Sequence, residues 1–213
     1  MRTHTKETQS SLTPQLALDI LKEGNDRFVK NLKANRNLLQ QVNETSEGQF
    51  PFAVILSCID SRVPAELIFD QGLGDIFSIR IAGNFINEDI LGSMEFACKV
   101  AGSKLIVVLG HSECGAVKGA CDNVELGNLT GLLNKIQPAI DAVDEDGERT
   151  SKNKEFVQNV ADKNVEIALQ QIEEKSPLLK EMIENGEIGL AGAMYSVGTG
   201  KVTFNNVMAT KFN

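Results

Sequence analysis

Histidine is almost absent from this chain, positive charge is in deficit, and no long apolar run occurs. With 21 Lys and Arg against 29 Asp and Glu the formal net charge is -8. An acidic surface of that kind repels nucleic acid and anionic membranes, which excludes both as expected partners. A small neutral or weakly charged substrate fits better. No apolar stretch approaches the roughly 20 residues needed to span a bilayer. The polar stretch from Met1 to Ser11 lacks the apolar centre of a secretory signal. The expectation is a cytoplasmic protein. Internal repeats and low-complexity tracts are also missing, and nothing in the composition marks the chain as disordered.

What is present suits one globular domain over residues 1–213. At 42% hydrophobic and 23% charged, 213 residues can bury a sizeable core. Thr13-Pro14 reads as an N-cap followed by proline at the first helical position, and Leu18, Leu21, Phe28 and Leu32 then repeat at helical spacing. This amphipathic helix, with a polar connection that has room for a short helix, makes residues 1–48 an N-terminal helical arm. Residues 49–213 form the core. Apolar strands at Phe52 to Ser57, Ile76 to Ile81 and Lys104 to Leu109 alternate with helices around Pro64 to Phe69 and through Ile90, Met94, Ala97 and Ala101. That alternation predicts an α/β fold with a mostly parallel central sheet flanked by helices. A long helix from about Ser151 to Lys175 and a shorter one from Pro177 follow. Ile188 to Val197 and Lys201 to Val207 close the chain as a strand extension.

Four cysteines occur, Cys58, Cys98, Cys114 and Cys121. Disulfide frameworks belong to small secreted chains without a core, so thiols kept for metal binding or chemistry are expected instead. Cys98 falls on the apolar face of a helix and Cys121 lies one heptad after Cys114; both read as small buried hydrophobes. Cys58 and Asp60 stand just past one buried strand, and His111 and Cys114 just past another. Strands of a parallel sheet deliver their C-terminal ends to a common edge. With His4 in the N-terminal stretch, His111 is the imidazole available to the core. Cys58, Asp60, His111 and Cys114 are thus the candidate metal ligands. Two thiolates and one imidazole suit tetrahedral zinc and leave a fourth position for water, as in catalytic sites.

The segments Cys58-Ile59-Asp60-Ser61-Arg62-Val63-Pro64, Arg80-Ile81-Ala82-Gly83-Asn84 and Gly110-His111-Ser112-Glu113-Cys114-Gly115 together resemble the β class of carbonic anhydrases. The resemblance is close from Gly48 to Cys121 and follows the layout beyond. It implies one zinc ion (Zn2+) per subunit held by Cys58, His111 and Cys114, and reversible hydration of CO2 to bicarbonate and a proton, with zinc-bound hydroxide as the nucleophile. Asp60 and Arg62 correspond to the family's catalytic dyad: the carboxylate either closes the metal position or, held by the guanidinium fork, leaves it open. Two thiolates already cancel the charge of zinc, so activity is expected to rise with pH somewhere between about 7 and about 9.

The same resemblance implies a substrate pocket that includes Gln49, Phe77, Phe96 and Gly115, with Phe96 standing where plant members carry tyrosine. Ile55 occupies the position of the tryptophan that bicarbonate-regulated members carry, although Arg80 and Tyr195 match the other residues of that regulatory site. The open type follows. Family members assemble at least as dimers, with the pocket between subunits, so a homodimer or homotetramer is implied. Two other readings remain: a carbon disulfide or carbonyl sulfide hydrolase on the same scaffold, and a noncatalytic zinc or thiol-redox protein. Asp60 and Arg62 speak against the last, because a structural zinc has no use for them. No second histidine suits proton export, which falls to water, buffer or a carboxylate.

Overall fold

A computed structural model describes residues 2–208. Helices α1 (Lys6–Ser10), α2 (Pro14–Val29) and α3 (Leu38–Glu44) precede strand β1 (Ala53–Ser57). Then come α4 (Ala65–Ile68), β2 (Ile76–Arg80), α5 (Glu88–Glu95), which runs on through a π-turn at Phe96–Val100, and β3 (Leu105–His111). Four helices follow: α6 (Gly115–Cys121), α7 (Gly127–Leu133), α8 (Gln137–Ala142) and α9 (Lys154–Lys175). The chain continues with α10 (Pro177–Glu184), β4 (Gly189–Tyr195) and β5 (Val202–Met208). The helix starts are chemically marked: the side chains of Thr13, Asn37, Asn87, Asn153 and Ser176 each accept a hydrogen bond from a free amide of the first turn.

The five strands form one sheet in the order β2-β1-β3-β4-β5. β1 pairs in parallel with β2 and β3, β3 pairs in parallel with β4, and β5 returns antiparallel to β4. Side chains alternate across the sheet, so its two faces carry separate cores. Val54, Leu56, Ile106, Val108 and Leu190 pack against Met94, Leu169, Ile172 and Ile183 from α5, α9 and α10. Ala53, Ile55, Leu105, Val107 and Leu109 pack against Ala17, Leu18 and Leu21 from α2 and against Ile68 and Phe69. Each fully buried aliphatic side chain of this kind contributes roughly 1.5–3 kcal/mol. A third cluster joins Val117, Leu133, Ile136, Ile140, Phe156 and Val160 from α6 to α9, and it includes Cys58 and Cys114.

The sequence reading and the structure differ at several boundaries. α2 stops at Val29 because Asn31 takes a left-handed conformation (φ 54), which leaves Leu32 exposed instead of in the helical stripe. β3 runs on through Gly110 and His111, where Gly110 lets two neighbours close in: a Cβ there would meet Met194 Sδ at 2.5 Å and Val165 Cγ2 at 2.7 Å. The N-terminal arm is anchored on its own sheet. A Cβ on Gly24 would sit 1.8 Å from the Phe69 carbonyl oxygen, so only glycine lets α2 lie this close. His4, in the first segment, stacks edge-on against Phe52 with ring centroids 5.4 Å apart.

Asp70 fastens the end of the arm. Its carboxylate accepts from Arg27 Nε at 2.5 Å, Arg36 Nη1 at 2.6 Å and the Ala34 amide at 2.9 Å. Burial raises the pKa of Asp70, but these donors together outweigh it and hold the carboxyl below its usual range. A carboxylate with a depressed folded pKa stabilises the fold above its unfolded pKa and ceases to do so as pH falls through the folded value. Asp70→Asn is therefore expected to cost about 3–5 kcal/mol near neutrality, the range for breaking a buried ion pair. That deficit should shrink toward acid in urea titrations of wild type and variant. An equal deficit at pH 7 and pH 3 would refute the assignment.

Candidate metal centre

The C-terminal ends of β1 and β3 lie side by side, with Ser57 opposite Leu109. Cys58 therefore leaves one strand next to where His111 ends the other. Between His111 and Cys114 the chain reverses at Glu113, which adopts φ 57, a conformation uncommon for residues other than glycine. That reversal swings Cys114 back beneath His111 and makes it the first residue of the turn into α6. The ligand-type atoms of Cys58, His111 and Cys114 all lie within 4.8 Å of one another, and all three residues are buried.

The chemistry of this set fits zinc. Cys58 Sγ and Cys114 Sγ are 4.0 Å apart, too far for a disulfide and close to the ~3.8 Å that two thiolates at about 2.3 Å from a tetrahedral zinc would span. His111 Nδ1 lies 2.9 Å from the Ser112 carbonyl oxygen, which can only accept, so the ring proton belongs on Nδ1. That leaves Nε2 bare, buried and without a hydrogen-bond partner among the described residues. A buried nitrogen lone pair facing two thiols, its far side fixed by a carbonyl, is the outer support expected around a metal-binding imidazole.

The thiols themselves are biased toward ionisation at one sulfur. The hydrogen bond shared between the Cys58 and Cys114 sulfurs outweighs burial and, with the Gly83 amide, holds the Cys58 thiol well below its usual range. Cys114, sharing that hydrogen bond with an ionised neighbour and itself buried, is pushed up. The two remaining cysteines behave as expected of core residues. Burial raises Cys98 to about 12 and Cys121 to about 11.

Asp60 stands apart from the three. Its Oδ1 accepts from the Arg62 amide at 2.9 Å and from Arg62 Nε at 2.9 Å, and its Oδ2 accepts from Arg62 Nη2 at 2.7 Å. The Arg62 fork is the main reason why the Asp60 carboxyl lies well below the usual range, against the opposing effect of burial. Arg62 also donates to the Glu113 carbonyl at 3.4 Å, which ties the β1 loop to the β3 loop.

Arg80, at the end of β2, reaches across to the loop after β1. Its Nε donates to the Cys58 carbonyl at 3.0 Å and its Nη2 to the Asp60 carbonyl at 2.6 Å, so it braces the loop that carries both residues. Ile55 is fully buried in the core face under α2. Tyr195 is buried opposite His111 at the end of β4. Gly115 opens α6 directly after Cys114, and a Cβ there would meet nothing within 4 Å.

Within one chain the remaining pocket residues do not join this group. Gln49 is exposed in the connection before β1. Phe77 lies on the edge strand β2, paired with Val54 at the strand end remote from Cys58. Its ring meets that of the half-exposed Phe96 at 6.2 Å, in an open depression with Ile79, Glu88 and Gly92. Two further residues belong to the centre, Gly83, which the sequence shows only as part of a motif without a role, and Asn164, which it does not single out. The Gly83 amide donates to Cys58 Sγ at 3.4 Å, and Asn164 on α9 donates to the Gly83 carbonyl at 2.8 Å. The signal for Asn164 was its place inside the otherwise apolar stripe Val157, Ala161, Val165, Ala168.

Known proteins show the same arrangement of chain and fold. Residues 53–202 match the family described as carbonic anhydrase. Carbonic anhydrase 2 of Mycobacterium tuberculosis is 37% identical over 201 residues, which cover 91% of this chain and 93% of that protein. The carbonic anhydrase of Mycolicibacterium smegmatis is 34% identical, covering 89% and 92%. Among solved structures, the β-carbonic anhydrase CafA of Aspergillus fumigatus superposes with a TM-score of 0.67 at 27% identity, covering 90% of each chain. A chain from two tetrameric β-carbonic anhydrases of Sordaria macrospora gives 0.66 at 25% identity, covering 76% and 84%. Similarity that runs through both strand ends bearing the buried Cys-His-Cys group, and through nearly the whole length of the relatives, places this chain in the β-carbonic anhydrase family.

Proposed function

We propose that this protein catalyses the reversible hydration of CO2 to bicarbonate and a proton, with one zinc ion held by Cys58, His111 and Cys114. The observation that carries the proposal is the bare, buried Nε2 of His111 facing two thiols while Asp60 is held off by Arg62. When bound there, zinc supplies the Lewis acidity that makes water a nucleophile at neutral pH. The chain supplies the rest. Arg62 keeps the Asp60 carboxylate ionised and oriented, so it can accept a hydrogen bond from a reacting water but cannot donate one. Arg80 fixes the loop that carries Asp60. The absence of a side chain at Gly115 leaves room beside Cys114.

An open site, with Asp60 off the metal, is the form this arrangement favours. Gln49, Phe77 and Phe96 are proposed to complete the substrate pocket from a second copy of the chain, in a homodimer or larger assembly, since Gln49 and Phe96 are exposed and Phe77 is partly so. No helix among the described residues is long and apolar enough to cross a membrane, and the acidic surface is compatible with the proposed cytoplasmic location.

Stopped-flow CO2 hydration, with zinc content measured on the same samples, tests the reading. Zinc-replete protein is expected to hydrate CO2 well above buffer at about pH 8.5, with activity rising with pH at a midpoint between about 7 and about 9. A rate no higher than buffer, or a profile flat from about pH 6 to about pH 9, would refute it.

A further inference from the structure

The Cys58 sulfur is approached by a backbone amide whose position depends on a distant helix. Ile81 to Asn84 form a tight turn closed by the Asn84 amide on the Ile81 carbonyl at 3.0 Å, with Gly83 at its third position in a left-handed conformation (φ 80). This is the geometry of a type II turn, which calls for glycine there. A side chain would also collide: a Cβ on Gly83 would meet Ile136 Cδ1 at 2.7 Å. The turn aims the Gly83 amide at Cys58 Sγ, 3.4 Å away. The opposite face of the same residue, its carbonyl, is gripped by Asn164 Nδ2 at 2.8 Å. Asn164 is 4% exposed and projects from α9 into the boundary between the third cluster and the sheet. Along α9 its neighbours in the buried stripe are Val160, Ala161, Val165 and Ala168. A polar side chain there requires a specific hydrogen-bond partner, because an unpaired one would cost stability.

We propose that Asn164 is a positioning residue for the metal centre, holding the Gly83 amide against the Cys58 thiolate and so setting how strongly that sulfur donates to the metal. The inference rests on the zinc reading above. An N–H donor on a thiolate draws charge from it, which leaves the metal the stronger Lewis acid. Without Asn164 the turn is free to shift, the amide leaves the sulfur, and the thiolate donates more.

The test compares wild type, Asn164→Leu and Asn25→Leu as holoproteins. Asn25 is a matched control: it is also 4% exposed, and its amide bridges the Ile68 and Gly200 carbonyls on the far side of the sheet. Three readouts are expected to move in Asn164→Leu and to stay put in Asn25→Leu. Zinc affinity by chelator competition falls about 10- to 100-fold, the usual cost of losing an outer partner, because the loosened turn no longer holds Cys58 in place and this outweighs its stronger donation. The thiolate-to-metal charge-transfer band of the cobalt-substituted protein shifts to lower energy. The pH midpoint of CO2 hydration rises. Should Asn164→Leu fail to fold, Asn164→Ser, whose shorter donor cannot reach the Gly83 carbonyl, is expected to give the same shifts. Wild-type affinity and spectrum in the folded Asn164 variant, or equal changes in Asn25→Leu, would overturn the positioning role alone. A wild-type protein that binds neither zinc nor cobalt would overturn it together with the function.

Discussion

Cys58→Ser is expected to lose its zinc on dialysis and to lose CO2 hydration by more than the ~100-fold that removal of an outer-shell partner costs, while the central sheet remains folded. The reasoning starts from where Cys58 sits. It is 4% exposed and belongs to the cluster formed by α6 to α9, whereas the cores on the two sheet faces are assembled without it. A serine hydroxyl is close in shape to the thiol but is not ionised near neutrality, so the metal loses an anionic soft ligand while packing changes little. Chelating zinc from the wild type should have the same local signature. Amide exchange is expected to quicken in residues 115–143, around the third cluster, and to remain slow in β1 and β3. Cys98→Ala provides the contrast, since Cys98 is equally buried but packs with Met94 and Leu169, away from the metal group. It is expected to keep its zinc. Full zinc occupancy and wild-type turnover in Cys58→Ser would show that the metal lies elsewhere.

The parts of this site that were legible in the sequence are those fixed by strand chemistry. Short apolar runs ending in Cys58 and just before His111, alternating with helices, read as buried parallel strands, and neighbouring parallel strands bring their ends together. That brings the four candidate ligands together; the resemblance divides them into three ligands and Asp60, and the reversal at Glu113 places Cys114. Arg62, two residues after Asp60, also has the reach to form its fork locally. What was not legible depends on distant packing. Gly83 and Asn164 are 81 residues apart, and only the packing of α9 across β3 and β4 joins them. Arg80 shows the opposite case: its position was noticed, but its hydrogen bonds to the Cys58 and Asp60 carbonyls depend on the register that sets Ser57 against it. Gln49, Phe77 and Phe96 lie outside the group within one chain, which is compatible with the pocket between subunits that the resemblance implies. Phe77 stands on β2, the edge of the sheet, where a second copy of the chain has access to it. Leu32 followed the helical period of α2, yet the backbone of Asn31 turned left-handed before the period could continue.

Asp60→Asn should separate metal binding from chemistry. Zinc content is expected to stay at the wild-type level, because the three buried ligands are untouched, while kcat/KM falls on the order of 10²-fold or more, the range for a positioned proton acceptor. The carboxylate now offers two oxygens to Arg62 and has lone pairs to spare; the amide offers one oxygen, and its NH2 would face the guanidinium, donor against donor. The asparagine must therefore rotate or leave the fork. An amide also presents a donor where an acceptor is required, so the reacting water loses its orientation in either pose. Arg62→Lys probes the other half of the pair. A lysine ammonium is a point donor that cannot grip both oxygens, and a loosened carboxylate could swing toward the metal position and block it. Arg62→Lys is thus expected to lose more activity at low pH, where little hydroxide competes for that position, than at high pH. Asp60→Asn, which carries no charge to swing, should lose activity evenly across the range. Activity of Asp60→Asn within twofold of wild type, at equal zinc content, would refute the role of the carboxylate as acceptor. Identical pH profiles for the two variants would refute the restraining role of Arg62.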